Sequence, residues 1–417
     1  MLKYNMPQTA ARPSDLKRNN RIQILELFKT GTVYSVAEIA RTIGISRQTV
    51  MKAIQFFLEK GVIESGGKAA SGSMGGKRAE LFSLSANRYL FSVLICPDGL
   101  YVSLFNFRCE VIDTFQQSGV AEMPVDEIVA SAGRACHSLM DKNGIGRESV
   151  FGICISTPGI VDRASRCVKF NALFPNWGRD VALAEMLGAY FDRDLLILTE
   201  NASKVCGSAY LHEKKGVGAR VATLFSSWDG ISSCQMAYGR ILDGKDSLIG
   251  EIGHTMLNPD DPEDCACGSH GCFERQVSAD RIRRWIQELS GRIPDSALLQ
   301  KPLAQITIRD VFDASSAGDA LAREVSGRVA AYFAQALHNL ALIFNPDSVV
   351  FQGDCARADD FFREQIFHEM RRFKYYTDSA DSPFALHMDD RSITELTTRG
   401  AYILLIDCLF SDETTYS

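Results

Sequence analysis

The stretch from Gly250 to Glu274 constrains this chain more than any other. It reads Gly250-Glu251-Ile252-Gly253-His254, then a ten-residue loop, then Cys265-Ala266-Cys267-Gly268-Ser269-His270-Gly271-Cys272-Phe273-Glu274. Three of the chain's twelve cysteines fall within eight residues, with a histidine shortly upstream. Gly268 and Gly271, between the second and third cysteines, permit a tight turn. Thiolates and an imidazole at this spacing suit a closed, tetrahedral, structural zinc site with ligands His254, Cys265, Cys267 and Cys272. Scattered cysteines in a chain this long are ordinary small core residues; a dense cluster with glycines is not. A disulfide reading needs an oxidising compartment, and nothing in the sequence suggests one. Glu251 and Glu274 bracket the cluster. A metal-pinned loop would hold both carboxylates where a polar ligand can use them.

The chain is long enough, at 417 residues, for two or three domains, and 46% hydrophobic with 23% charged residues is a globular composition. No long apolar run follows a basic start, and none approaches the length of a bilayer span. A soluble, cytoplasmic protein without membrane insertion is expected. The charge is unevenly spread. Residues 1–90 hold fourteen Lys and Arg against six Asp and Glu, a balance of +8 in a chain of net −6, which leaves −14 for the rest. A basic segment on an acidic body points to a nucleic-acid-binding module.

The N-terminal pattern agrees. Asn19-Asn20 precede a helical run over 21–29 with apolar residues at helical spacing, and Gly31 can end it. Ser35 caps a short helix, Val36 to Ile43, and Glu38 completes a capping box. Gly44-Ile45 makes a turn, and Ser46 caps a helix from Arg47 to Lys60. Helix, short turn with glycine, helix is the helix-turn-helix plan. Its second helix reads the major groove from its N-terminal end. Here that end offers Ser46, Arg47, Gln48, Thr49 and Lys52, with Arg and Gln suited to base edges and the others to phosphates. Val50, Ile54, Phe57 and Leu58 are expected to face the core. Two strand-like runs, 62–64 and 80–84, flank a glycine-rich basic segment ending in Lys77-Arg78, which reads as a wing.

From Tyr89 the pattern becomes alternating strands and helices, the signature of α/β layers with ligand sites beyond strand carboxyl ends. Strands are expected at 89–96, 100–105, 109–113, 150–155 and 195–198, and helices at 125–140, 202–212 and 325–344. Asn258 to Asp264 reads as a solvated acidic loop, and 281–286 as a surface helix face.

Glu-x-Gly-His followed by Cys-x-Cys-Gly-x-x-Gly-Cys-x-Glu resembles the zinc motif of the ROK family (repressors, open reading frames, sugar kinases). Thr157-Pro158-Gly159-Ile160-Val161-Asp162, Asn171 to Trp177, Asn345-Pro346-Asp347 and Gly400-Ala401 also match, and the likeness covers nearly the whole chain. It implies a two-lobed actin-like or hexokinase-like ATPase fold, of the ribonuclease H-like kind, after a winged helix-turn-helix. The expected division is 1–86 for the DNA-binding domain, 87–200 with the C-terminal helix 398–417 for the first lobe, and 201–397 for the second. The resemblance further implies a sugar pocket between the lobes, contacted by Asn171, Asn201, Glu251, His254 and Glu274. Lys77 and Arg78 resemble an interdomain hook that reaches the minor groove, although Ala79 stands where a proline is usual.

The departures weigh against phosphoryl transfer. The first phosphate loop of a ROK kinase is replaced by Cys96-Pro97-Asp98-Gly99-Leu100. The second corresponds to Trp228-Asp229-Gly230-Ile231-Ser232, and the adenosine-side cluster to Gln352-Gly353-Asp354. Phosphoryl transfer depends on backbone donors around the nucleotide. The general-base position is Asn201, in the pair Glu200-Asn201, and an amide cannot accept the proton. The expectation is therefore not an enzyme but a transcriptional repressor. It would bind a pseudo-palindromic operator as a homodimer or homotetramer and answer to a sugar or sugar phosphate. A sugar kinase with a fused DNA-binding domain is the first alternative. A repressor controlled by a protein partner, with a vestigial pocket, is the second.

Overall fold

Local signals set the first elements. The computed structural model describes residues 13–28, 32–68, 78–162, 164–191, 195–214, 220–227, 230–373 and 383–411. Helix α1, Pro13–Phe28, begins earlier than the apolar spacing suggests. Proline is pre-set for a first helical turn, so the polar residues through Asn20 extend the helix instead of capping it. A short strand, β1 (Tyr34–Ser35), leads into α2 (Val36–Ile43). Its capping box forms as expected: Glu38 N donates to Ser35 Oγ at 3.3 Å, and Ser35 N donates to Glu38 Oε2 at 2.8 Å. Gly44 closes the helix in the left-handed region, at φ +79. Ser46 then caps α3 (Arg47–Glu59) by accepting from Thr49 N at 3.1 Å.

Val50, Ile54 and Phe57 of α3 are buried, whereas Leu58 is 40% exposed. One residue further round the helix, Leu58 turns past the apolar stripe. Strands β2 (Ile63–Lys68) and β3 (Glu80–Leu84) pair antiparallel and complete the wing sheet with β1.

The body holds two five-stranded sheets of the same plan. The first contains β4 (Tyr89–Cys96), β5 (Gly99–Asn106), β6 (Val111–Gln117), β7 (Val150–Thr157) and, beyond a small hairpin of β8 (Ile160–Asp162) and β9 (Cys167–Phe170), β10 (Leu196–Asn201). Its order is β10-β7-β4-β5-β6. The second contains β11 (Arg220–Ser227), β12 (Gly230–Ala237), β13 (Arg240–Ile241), β14 (Ser348–Gly353) and β15 (Ala385–Asp389), in the order β13-β12-β11-β14-β15. In each, three antiparallel strands form a meander and two later strands add parallel to its first. The central strands are almost wholly buried, as their unbroken apolar runs require. Strand β6 starts at Val111, later than the expected 109–113, because Cys109 takes a positive φ of 62 in the preceding turn.

Helices cover both sheets: α4 (Val125–Lys142), α5 (Leu183–Gly188) and α6 (Ala202–Lys214), then α7 (Phe273–Gln276), α8 (Ala279–Ser290), α9 (Ile308–Ser316), α10 (Ala320–Phe344), α11 (Asp360–Met370) and α12 (Ile393–Ser411). Helix α12 starts five residues before the expected 398, because Ser392 caps it by accepting from Glu395 N at 3.2 Å. It packs on α6, β4 and β7 and also touches α1. One apolar cluster therefore runs from Ile24, Val50 and Phe57 of the N-terminal unit to Phe105, Tyr402 and Ile406 of the body.

Polar contacts reinforce that junction. Arg108 pairs with Glu64 of the wing sheet, and its Nε donates to Leu84 O at 2.9 Å. Arg88 Nε donates to Gly61 O at 3.3 Å. At the crossing of α6 and α12, a Cβ on Gly400 would lie 1.9 Å from Val205 O, so only glycine allows the backbones this close. Gly400→Val should therefore cost about 3 kcal/mol in unfolding free energy, as overpacking does. Urea denaturation followed by circular dichroism measures it, with α6 and α12 expected to loosen together.

Candidate functional site

The cleft lies between the two sheets, beyond the carboxyl ends of β7, β10 and β14, and encloses about 450 Å³. Asn171, Asn201, Glu251, His254 and Glu274 all line it. The two asparagines are committed to the scaffold. Asn201 Nδ2 donates to Gly159 O at 2.8 Å, and its Oδ1 accepts from Ser203 N at 2.9 Å, at the start of α6. Asn171 Nδ2 donates to Pro158 O at 2.9 Å, and its Oδ1 accepts from Leu173 N at 3.1 Å. They shape the wall and keep little capacity for a ligand. The carboxylates of Glu251 and Glu274 remain as the strong acceptors.

His254 joins the cleft to the metal centre. Its Nδ1 lies 3.5 Å from Cys265 Sγ and 3.5 Å from Glu274 Oε1, and its Nε2 lies 3.8 Å from Glu251 Oε2. One ring nitrogen therefore faces the cysteines and the other faces the first carboxylate. Burial pushes the Glu251 carboxyl above its usual range; nearby His254 opposes this and nearby Glu274 adds to it.

The donor atoms of His254, Cys265, Cys267 and Cys272 all lie within 4.8 Å of one another, a spacing that fits one metal ion. Gly268 and Gly271 adopt φ of +85 and +69, and Gly271 sits so close to Asn258 O that a Cβ would approach to 2.0 Å. Cys265 N donates to Ser269 O at 2.7 Å, which closes the loop. Burial raises the thiols of Cys265 and Cys272, the latter to about 11. A dication at the centre reverses that tendency by favouring thiolates. The set is sulfur-rich and four-membered, so it leaves no position for reacting water.

The loop before the cysteines is solvated at Pro259, Asp260, Pro262 and Asp264, as its composition suggests, but two of its carboxylates turn inward. Asp261 is 3% exposed, accepts from Gln276 Nε2 and pairs with Arg281. Glu263 pairs with Arg284, and with Arg275 and Arg281 at 3.3 Å each. The arginines of α8, expected on an idle surface, thus tie down the metal loop while Ile282 and Ile286 enter the core.

Sequence reasoning missed several cleft residues. Ser203 of α6 and Ser232 of β12 hydrogen-bond to each other, and the buried Lys204 next to Ser203 pairs with Asp243 at 3.0 Å. Arg309 pairs with Asp354 at 2.6 Å, and Arg391 with Asp389 at 2.7 Å. No spacing in the sequence announces these pairs.

The far end of the cleft carries both charges, with Asp98, Asp354 and Asp390 beside Arg309, Arg357 and Arg391. Pro97-Asp98 forms a two-residue turn joining β4 and β5. Asp98 accepts from Cys96 Sγ at 2.8 Å and Tyr101 Oη at 2.9 Å, and burial first, then Asp98, raises Tyr101 to about 12. Asp354 follows Gly353. Trp228 and Asp229 lie outside the described residues. Asp98 and Asp354 both line the cleft, Asp354 held by Arg309.

In the N-terminal unit, Ser46, Arg47, Gln48 and Lys52 are exposed and Thr49 half-buried at the start of α3; Arg78 is exposed. Lys77 lies outside the described residues. No helix among the described residues is long and apolar enough to cross a membrane.

Comparison with known proteins is direct on the family. Residues 106–405 match the ROK family, and residues 16–64 match winged helix-turn-helix DNA-binding domains. The chain belongs to the ROK family. It is 29% identical to a glucokinase of Thermotoga maritima over 217 residues, 52% of this chain and 67% of the glucokinase. It is 25% identical to a xylose repressor of Caldicellulosiruptor bescii over 363 residues, 84% of this chain and 87% of the repressor. The crystal structure of a ROK family transcriptional regulator, a homolog of the E. coli MLC protein, superposes with a TM-score of 0.76 at 19% identity, covering 95% and 97% of the two chains. The fold expectation, a winged helix-turn-helix before a hexokinase-like two-sheet body, holds. As a ROK protein the chain shares its body with kinases, and the similarity to the xylose repressor and to the ROK regulator extends into the N-terminal unit.

Two measurements check the site. Cys272→Ser should release the metal in native mass spectrometry, whereas Glu274→Ala should keep it. Burial raises the Asp389 carboxyl, but hydrogen bonds from Arg391 and Gln352 outweigh it and hold the group below its usual range. Its stabilisation is therefore present above about pH 4 and lost as pH falls through the lowered value. Asp389→Asn should flatten the acid side of a stability–pH profile measured by thermal melting.

Proposed function

We propose that the chain is a sugar-responsive transcriptional repressor whose ROK body is a sensor rather than a kinase. The observation that carries this is the pair of opposite features on one body. A DNA-binding unit is fused into its core, and the turn that corresponds to the family's first phosphate loop is a two-residue hairpin carrying Asp98. The working division is 1–86, 87–200 with 398–417, and 201–397. Ser46, Arg47, Gln48, Thr49 and Lys52 would meet operator DNA, with Lys77 and Arg78 at the minor groove. A homodimer or homotetramer would present two such units to a pseudo-palindrome. Glu251, His254 and Glu274 would receive hydroxyls of a sugar or sugar phosphate, with Asn171 and Asn201 shaping the pocket around it.

Zinc is the ion that best suits His254, Cys265, Cys267 and Cys272. It would hold the pocket wall and leave the second nitrogen of His254 for the ligand. An effector acts on DNA binding only by preferring one arrangement of the two lobes. Since the DNA-binding unit is joined to the first lobe, closure of the cleft would change the spacing of paired reading helices. Asp98 in the turn that corresponds to the first phosphate loop and Asn201 at the general-base position speak against sugar phosphorylation, and the cytoplasm is where such a regulator works.

Operator binding measured by fluorescence anisotropy tests the assignment. Arg47→Ala should lose about 1–3 kcal/mol of specific affinity, and Lys52→Ala should chiefly reduce the salt dependence. A sugar should weaken wild-type binding, and Glu274→Ala should blunt that response with metal retained. Turnover of ATP with any hexose in a coupled assay would overturn the sensor reading.

A further inference from the structure

The cleft does not end at the wall formed by Glu274. Beyond it opens an annex of about 330 Å³. Annex and cleft share Leu173, Ser226, Ile231, Glu274 and Asp354, so the two compartments are continuous and Glu274 stands at the junction. The annex has a floor and a rim of different chemistry. Val277, Ile308 and Phe312 provide the apolar floor, while Ser278, Arg275 and Arg283 provide the rim. Arg275 Nε is buried without a hydrogen-bond partner among the described residues. A buried donor in that state is costly unless something accepts from it.

We propose that the annex is a second carbohydrate subsite, so that the effector is an uncharged disaccharide or glycoside rather than a monosaccharide or sugar phosphate. This rests on the reading that the main cleft receives a sugar. A sugar ring has an apolar C–H face and a hydroxyl edge. The floor fits the first and the rim fits the second, with Arg275 Nε as a donor to a ring hydroxyl. Charge argues against a phosphate. Arg275 already faces Glu263 at 3.3 Å, Arg283 faces Asp280 at 3.5 Å and Arg309 holds Asp354 at 2.6 Å, while Glu274 adds a further carboxylate to the lining. A dianion would meet more negative than unengaged positive charge there.

Calorimetric titration of the full, metal-loaded chain tests this with glucose, xylose and N-acetylglucosamine, the β-linked disaccharide of each, and glucose 6-phosphate. One disaccharide should bind about tenfold tighter than its monosaccharide, roughly 1.4 kcal/mol. Val277→Trp, which fills the annex, should erase that difference and leave monosaccharide affinity within about twofold. Arg283→Ala should weaken the disaccharide alone, and it serves if Val277→Trp does not fold. Equal affinity for monosaccharide and disaccharide would overturn the annex while leaving the sugar cleft intact. So would tighter binding of glucose 6-phosphate that Arg283→Ala removes. If none of these probes binds, the sugar cleft itself falls and takes the annex with it.

Discussion

The backbone contact between α6 and α12 is the constraint on which the rest of the architecture depends. Gly400 lets α12 lie against Val205 O, and no side chain larger than hydrogen fits there. That approach presses α12 onto β4 and β7, and its outer face then becomes part of the floor on which α1 and α3 pack. Spanning about 28 Å at 1.5 Å per residue, α12 begins among the cleft residues Arg391 to Ile393 and ends in the core of the DNA-binding unit. The N-terminal unit is thus not a bead on a tether. Its apolar core is continuous with the first sheet, and Arg108 and Arg88 close the polar seam beside it.

A second rigid corner sits across the cleft. The metal cluster alone would pin only the loop from Cys265 to Cys272. Asp261 and Glu263 extend that hold to α8 through Arg281, Arg284 and Arg275. A buried carboxylate is tolerable only when paired and hydrogen-bonded, and Asp261 meets both conditions. The outcome is a wall whose carboxylate, Glu274, cannot swing away from the cleft. Catalysis would spend such rigidity on the transition state of a transferred phosphoryl group. Here the opposite end of the cleft carries Asp98 on the first hairpin and the Arg309–Asp354 pair, a mixed rather than a uniformly positive lining.

Much of this was legible in the sequence wherever the signal was local. The capping box of Ser35 and Glu38, the glycines at 268 and 271, and the strands from Tyr89 to Phe105 each depend on neighbours a few residues away. The glycine positions even announced their left-handed backbone. What was not legible depends on partners far along the chain. Asp261 read as solvent-facing because its partner Arg281 lies twenty residues on. Lys204 and Asp243, thirty-nine apart, carried no shared spacing. Asn171 and Asn201 illustrate a subtler failure: their position at the cleft followed from the family likeness, but the backbone groups that occupy their amides appear only once β7, β8 and α6 are assembled.

That last point bears on how one fold can hold both kinases and regulators. Two sheets whose strand ends converge on a cleft provide a place for a polar ligand, whatever is done with it. Chemistry then turns on a few side chains at the rim. With an amide engaged by Gly159 and Ser203, the position of a general base becomes a strut that fixes the start of α6. With Asp98 held by Tyr101 and Cys96, the first turn is a tight two-residue hairpin that brings a carboxylate to the cleft. Both sets of hydrogen bonds stiffen elements that touch α12. A cleft built on these two sheets stays joined, through α6 and α12, to the helices that carry the DNA-binding unit.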